Sequence, residues 1–369
     1  MTTSDAAPTM VDWDLAVSTA QRLAGSGPAV GAADARSAVA ELRDLAAEAE
    51  AHVHRFTALD GTAAAAPVMV VDRGNWARAN AQSMQTMIAP LERKLRGEGE
   101  LSAARRAGAK LTGLQTGALL AFLSSKVLGQ FDPFWSGSSG APGNRTHGRL
   151  LLVVPNIVHI ERELDVAPRD FRLWVALHEE THRVQFTAVP WLRDHLAGEI
   201  EAFVAATDVD PAAFATRLRE VVRGLAETAR SEDDGASLLD LVQTPAQKVV
   251  VDRVTALMSL LEGHADVVMD GVGPDVIPSV ATIRRRFHRR RRSPQGFDRA
   301  VRRLLGLDAK MRQYRDGAAF VNKVVDRVGM DGFNRVWASA DSLPTKDEIA
   351  DPIAWVRRMN GAAPVTTTS

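Results

Sequence analysis

Residues 171–186 read Phe171-Arg172-Leu173-Trp174-Val175-Ala176-Leu177-His178-Glu179-Glu180-Thr181-His182-Arg183-Val184-Gln185-Phe186. No Pro or Gly interrupts the run, and Asp170 stands before it as an N-cap, so it reads as one helix from Phe171 to about Phe186. The turn ahead of His178 is almost wholly apolar, which predicts burial, and buried imidazoles and carboxylates need partners. His178 and His182 are four residues apart and share a face one turn apart. Two imidazoles so placed can bind one zinc ion through nitrogen at about 2.0–2.1 Å. Glu179 follows the first histidine, where its carboxylate can take a proton from a water that zinc has made acidic. The bland reading of the same residues is two core histidines satisfied by hydrogen bonds, with a pair of surface glutamates.

A catalytic zinc ion has three protein ligands and one open position. Two glutamates compete for the third place. Glu201 lies 19 residues after His182, on the next predicted helix. Glu262 lies in Leu261-Glu262-Gly263-His264-Ala265-Asp266, within apolar surroundings. Asp266 shares the face of Glu262 one turn on and is suited to accept a hydrogen bond from the free nitrogen of His178 or His182. Glu201 has only Ala205 at that place, so Glu262 is preferred. His264 points to another side of its helix. It and Tyr314, the one tyrosine of the chain, are the candidate donors to a developing oxyanion, and either can be structural instead.

Working outward, the 369 residues are 46% hydrophobic and 5% aromatic, rich in Ala, Leu, Val and Arg. This predicts a mainly α protein with a small β-sheet (α+β). Helical patterns cover Val11 to about Ala51 with a break at Gly25–Gly31, then Trp76–Arg96, Ala103–Gly129, 211–230, 245–270, 296–328 and 331–339, and Pro190 opens a further helix. Val68–Val71 is a short strand, and Arg149–Val154, closed by Pro155-Asn156, is the clearest one. Asp132–Gly148, with two prolines, reads as a surface loop or boundary. The expected organisation is a disordered tail over 1–10, a helical N-terminal region over 11–147 packing on a catalytic region over 148–360, and a second tail over 361–369.

There is no cysteine, which excludes disulfides, thiolate metal sites and a cysteine nucleophile. The N-terminus lacks a signal-peptide pattern and no apolar run is long enough to span a bilayer, so a cytoplasmic protein without a membrane partner is expected. Net charge is zero. The seven arginines of Arg284–Arg292 therefore read as a solvated helix face, and no nucleic-acid partner is expected. No phosphate-binding glycine loop and no Gly-x-Ser-x-Gly elbow occur in the required context.

The combination of Leu150-Leu151-Leu152-Val153-Val154-Pro155-Asn156, His178-Glu179-Glu180-Thr181-His182-Arg183-Val184-Gln185-Phe186 and Glu262-Gly263-His264-Ala265-Asp266 resembles the zincin-like metallopeptidase type 2 family, over nearly the whole chain from Val11 to about Trp355. That family is widespread in actinobacteria, and some members are labelled as associated with deazaflavin coenzyme biosynthesis. The resemblance implies a gluzincin-like architecture, with two His and one Glu on Zn2+ and an Asp behind them; it implies no known substrate, and a peptide or protein substrate is expected from the hydrolase reading. It also implies an edge strand ahead of the metal helix that binds extended substrate through its backbone, which would put Val154 and Asn156 at the substrate. The stretch Ser136–Asn144 departs from the pattern as an enlarged loop. A zinc-dependent hydrolase with Glu179 as general base is expected. A catalytically silent scaffold serving binding or regulation in a biosynthetic pathway is the alternative.

Overall fold

The computed structural model describes residues 10–60, 66–95, 103–138, 145–206, 244–292 and 307–361. It is mostly helical, with one small mixed sheet. Two compact units are formed: Met1–Ala188 with Val268–Phe287, and Val189–Val267 with His288–Ser369. The boundary expected at 147/148 falls inside a strand; of the expected tails 1–10 and 361–369 only Met10 and Gly361 are among the described residues, and the helix expected at 211–230 lies outside them.

The first unit begins with α1 (Trp13–Leu23), α2 (Ala32–Thr57), β1 (Val68–Val71), α3 (Arg73–Leu95) and α4 (Ala103–Ser124). Asp12 caps α1 by accepting from the Leu15 amide. A hairpin follows, β2 (Gly129–Ser138) and β3 (Arg145–Val153), then α5 (Val154–Glu163) and α6 (Pro168–Ala188). The strand order is β1-β3-β2, with β1 parallel and β2 antiparallel to β3. Leu150, Leu151, Leu152 and Val153 are all 0% exposed. A central strand covered on both faces needs such an unbroken apolar run. Leu151 and Val153 pack toward Val71, Trp76 and Leu120, and Leu150 packs toward Phe131 and Phe186.

The strand at Arg149–Val153 is the middle strand of the sheet, so its backbone is already paired on both sides and has no place for a substrate strand. The strand ends at Val153, ahead of Pro155-Asn156 as expected, and Val154 and Pro155 begin α5, where proline's missing amide costs nothing. The Asn156 amide group is buried. Its Nδ2 donates to Ser124 O and Val127 O, and its Oδ1 accepts from Arg73 Nε. Asn156 thus seals the C-terminal end of α4 and is structural; Val154 likewise belongs to the first turn of α5.

The stretch read as a loop from Asp132 is largely strand. Its pairing is irregular between Asp132 and Ser136, where Pro133 sits, as expected of a bulge on an outer strand. Asp132 is held there by Arg149 Nε at 3.0 Å and Ser83 Oγ at 2.6 Å, and Arg149 also donates to Ala79 O at 2.9 Å. Residues 139–144 of the proposed enlarged loop lie outside the described residues.

The second unit contains α7 (Pro190–Ala205), most of α8 (Pro245–Gly271) and α10 (Leu307–Phe333), the last broken at Gly329 (φ 73°). Two short 3-10 turns, α11 (Lys346–Ala350) and α12 (Pro352–Gly361) complete it. Its core holds Leu260, Leu261, Phe320, Phe333 and Trp355. The helix α8 runs through the division of the chain, so its last residues, Val268–Gly271, belong with the first unit, as does α9 (Val280–Arg292) as far as Phe287.

Candidate metal centre

Helix α6 is buried on nearly every side. α2 packs along it, and β2 and β3 lie against it. Phe171 and Trp174 stack at 5.9 Å, and Phe287 of α9 meets Trp174 edge-on at 5.0 Å. Asp170 is inside the first turn rather than before it, and its carboxylate accepts from the Ser279 amide and hydroxyl.

The histidine pair lies in this helix. The rings of His178 and His182 stand at 89° with centroids 4.8 Å apart, and their Nε2 atoms approach to 3.3 Å. On the far side, His182 Nδ1 faces Gln185 Oε1 at 2.9 Å, and His178 Nδ1 faces Met269 Sδ at 3.1 Å. Neither partner atom can donate a proton, so both assign the ring hydrogen to Nδ1. The two Nε2 atoms then present lone pairs to the same point. That arrangement is repulsive between two neutral rings and favourable around a cation. Two ligand nitrogens about 2.05 Å from a tetrahedral zinc ion lie about 3.3 Å apart, which is the spacing observed. Glu262, half-buried on α8, joins them: one ligand atom from each of His178, His182 and Glu262 lies within 4.8 Å of the others. Two imidazoles and one carboxylate are a donor set that suits zinc with a position left open. Glu201 is exposed on α7 and is not in this group.

Glu179 is 7% exposed and lies against β2. Gly129 makes this possible: a Cβ there would stand 2.5 Å from Glu179 Cγ and 2.8 Å from its Oε1. Glu180 is turned toward α2. It is 0% exposed, receives Arg183 Nε at 2.5 Å, and shares Arg183 with Glu50, whose carboxylate lies 2.7 Å from that guanidinium. Burial pushes the Glu180 carboxyl up to about 7, against the pull of Arg183. Both glutamates are therefore buried, not the surface pair of the bland reading.

Other expected residues are placed as follows. His264 is 0% exposed and packs between Phe333 and Trp337, at 5.2 and 5.5 Å. Tyr314 falls within α10, and its side chain lies outside the described residues. Asp266 is half-buried one turn beyond Glu262, while the Nδ1 atoms it was suited to serve face Gln185 and Met269. Sequence reasoning missed three positions: Gln185, Met269 and Gly129. Gln185 was open to discovery, being three residues after His182 on one helix face. Met269 and Gly129 carried no such signal. In the arginine run, Arg284 pairs with Asp270, and Arg286 bonds Leu164 O and the Asp165 carboxylate, while Arg285 and Arg289 are exposed. Among the described residues no helix is long and apolar enough to cross a membrane.

A buried helix carrying two converging histidines, followed by a distant glutamate, defines a zincin-type site. The chain belongs to the zincin-like metallopeptidase family, whose profile matches residues 11–356. It is also similar to a crystal structure from Chloroflexus aurantiacus described as "a putative hydrolase with a novel fold", with 31% identity and a TM-score of 0.67, covering 96% of this chain and 100% of that one. No curated protein matches the chain.

Proposed function

We propose that the protein is a zinc-dependent hydrolase that cleaves peptide bonds in a peptide or protein substrate. The convergence of His178 Nε2 and His182 Nε2 at 3.3 Å carries the reading. His178, His182 and Glu262 would hold the ion. When bound, zinc supplies Lewis acidity, making water nucleophilic near neutral pH and polarising a carbonyl. Glu179 takes the proton of the attacking water and delivers it to the leaving nitrogen. Its burial between α6 and β2 keeps the carboxylate from turning into solvent. Asp266 places a second carboxylate on the helix face of Glu262, which favours a cation there. Tyr314 is the proposed donor to the oxyanion. Val154 and Asn156 have no part in substrate binding in this reading. Extended substrate is taken instead along β2, the outer strand beside Glu179.

The test is the metal content of purified protein, measured by elemental mass spectrometry for the wild type, Glu262→Ala and Glu201→Ala. One zinc per chain, lost only in Glu262→Ala, is expected. A wild type that takes up no zinc when zinc is supplied overturns the reading. Zinc retained with no Glu179-dependent cleavage of a peptide library moves the protein to the catalytically silent scaffold.

A further inference from the structure

We propose that Met269 is a positioning residue for His178, and that its thioether leaves His178 the more weakly supported of the two histidine ligands. The inference rests on the metal-site reading above. Met269 is 2% exposed in the last turn of α8, so its sulfur is held in place rather than resting there by chance. It lies 3.1 Å from His178 Nδ1. Accepting that N–H fixes the ring tautomer and directs the Nε2 lone pair to the shared point. Gln185, 0% exposed and 2.9 Å from His182 Nδ1, does the same for the other ring.

The two acceptors differ in strength. An amide oxygen is a full acceptor, and a thioether sulfur is a weak one. A strong acceptor on Nδ1–H raises the electron density of the ring and its affinity for metal, and removing such partners typically costs about 10- to 100-fold in affinity. The imidazole backed by sulfur gains less of this. Met269 also lies seven residues after Glu262, two turns on along one face of one helix. A single helix therefore carries both a ligand and the partner of another ligand, and metal affinity is tied to how α8 is placed.

The experiment measures zinc affinity by chelator competition for the full-length wild type, Met269→Leu, Met269→Gln and Gln185→Leu. The visible spectrum of the Co2+-loaded forms and the unfolding midpoint of the metal-free forms are read alongside. Met269→Leu keeps the volume and removes the acceptor. It is expected to weaken zinc binding severalfold and shift the cobalt spectrum, with the metal-free midpoint close to wild type. Met269→Gln supplies an amide oxygen and is expected to bind zinc about tenfold more tightly than wild type. Gln185→Leu is expected to cost more affinity than Met269→Leu. Equal affinities for the wild type and Met269→Leu, with unshifted cobalt spectra, overturn the proposal and make Met269 a packing residue. Should Met269→Gln not fold, equal losses in the two leucine variants overturn the asymmetry. A wild type that binds neither Zn2+ nor Co2+ fails the metal-site reading itself, which is a separate result.

Discussion

The two sides of α6 carry adjacent glutamates with opposite fates. On the α2 side, Glu180 is sealed from water and tied through Arg183 to Glu50. On the β2 side, Glu179 lies against a glycine, next to two half-buried histidines. The first arrangement ties two carboxylates to one guanidinium and fastens two helices, while one Glu180 oxygen is buried without a hydrogen bond. The second sets Glu179 beside two histidines that, with Glu262, form a donor set suited to a metal ion. Neighbouring residues on a helix point about 100° apart, so one turn can serve structure on one side and chemistry on the other. A buried carboxylate is therefore not by itself a mark of function; what faces it decides.

Breaking the chemical side should cost activity without costing metal. Glu179→Gln is expected to lower peptide cleavage by about 10²- to 10⁴-fold, with zinc content unchanged by elemental mass spectrometry. Unaltered cleavage would remove Glu179 as the base. Breaking the structural side should cost stability. Arg183→Leu leaves Glu180 buried without its guanidinium, and a loss of about 3–5 kcal/mol is expected in urea unfolding. A change below about 1 kcal/mol would mean that Glu180 accepts a proton at little cost and the network contributes little.

Two smaller perturbations sharpen the same contrast. Gly129→Ala puts a methyl group into the space of the Glu179 side chain. Such overpacking costs about 1–3 kcal/mol, and cleavage should fall while zinc affinity holds, because the methyl meets Glu179 and not the proposed ligands. Loss of zinc in this variant would show that Glu179 and the ligands move together. Glu201→Ala, at an exposed position of α7, should change stability by less than about 0.5 kcal/mol and leave zinc bound. Zinc loss there would return Glu201 to the ligand set.

The helix α6 and its histidine pair were legible because the motif lies within a single element whose period is known. The preference for Glu262 over Glu201 rested on the apolar turns around Glu262 and the carboxylate four residues on, both of which Glu201 lacks; Glu262 and Asp266 are half-buried and Glu201 is exposed. The sheet was read less well. Leu150–Val153 announces a strand, but an apolar run is the same whether its neighbours lie on one side or both. Its position between β1 and β2 depended on residues about 80 positions before it and on a hairpin partner whose Gly, Pro and Ser content looks like loop. The arginine run was read as a surface face, and Arg284 and Arg286 are paired locally while Phe287 enters the core of the first unit.

Local periodicity and residue chemistry were thus enough to specify a mainly helical chain, the histidines that converge, and the glutamates worth weighing. Such features depend on contacts within a few residues, where backbone geometry fixes which side chains meet. Which strand is central, why Asn156 is buried, how Gly129 admits Glu179, and that a methionine backs His178 were decided by tertiary packing. Apart from the β2–β3 hairpin, these join residues 29 to 91 positions apart. No helical or strand period relates such residues, and only the close packing of the core brings them within a few ångströms.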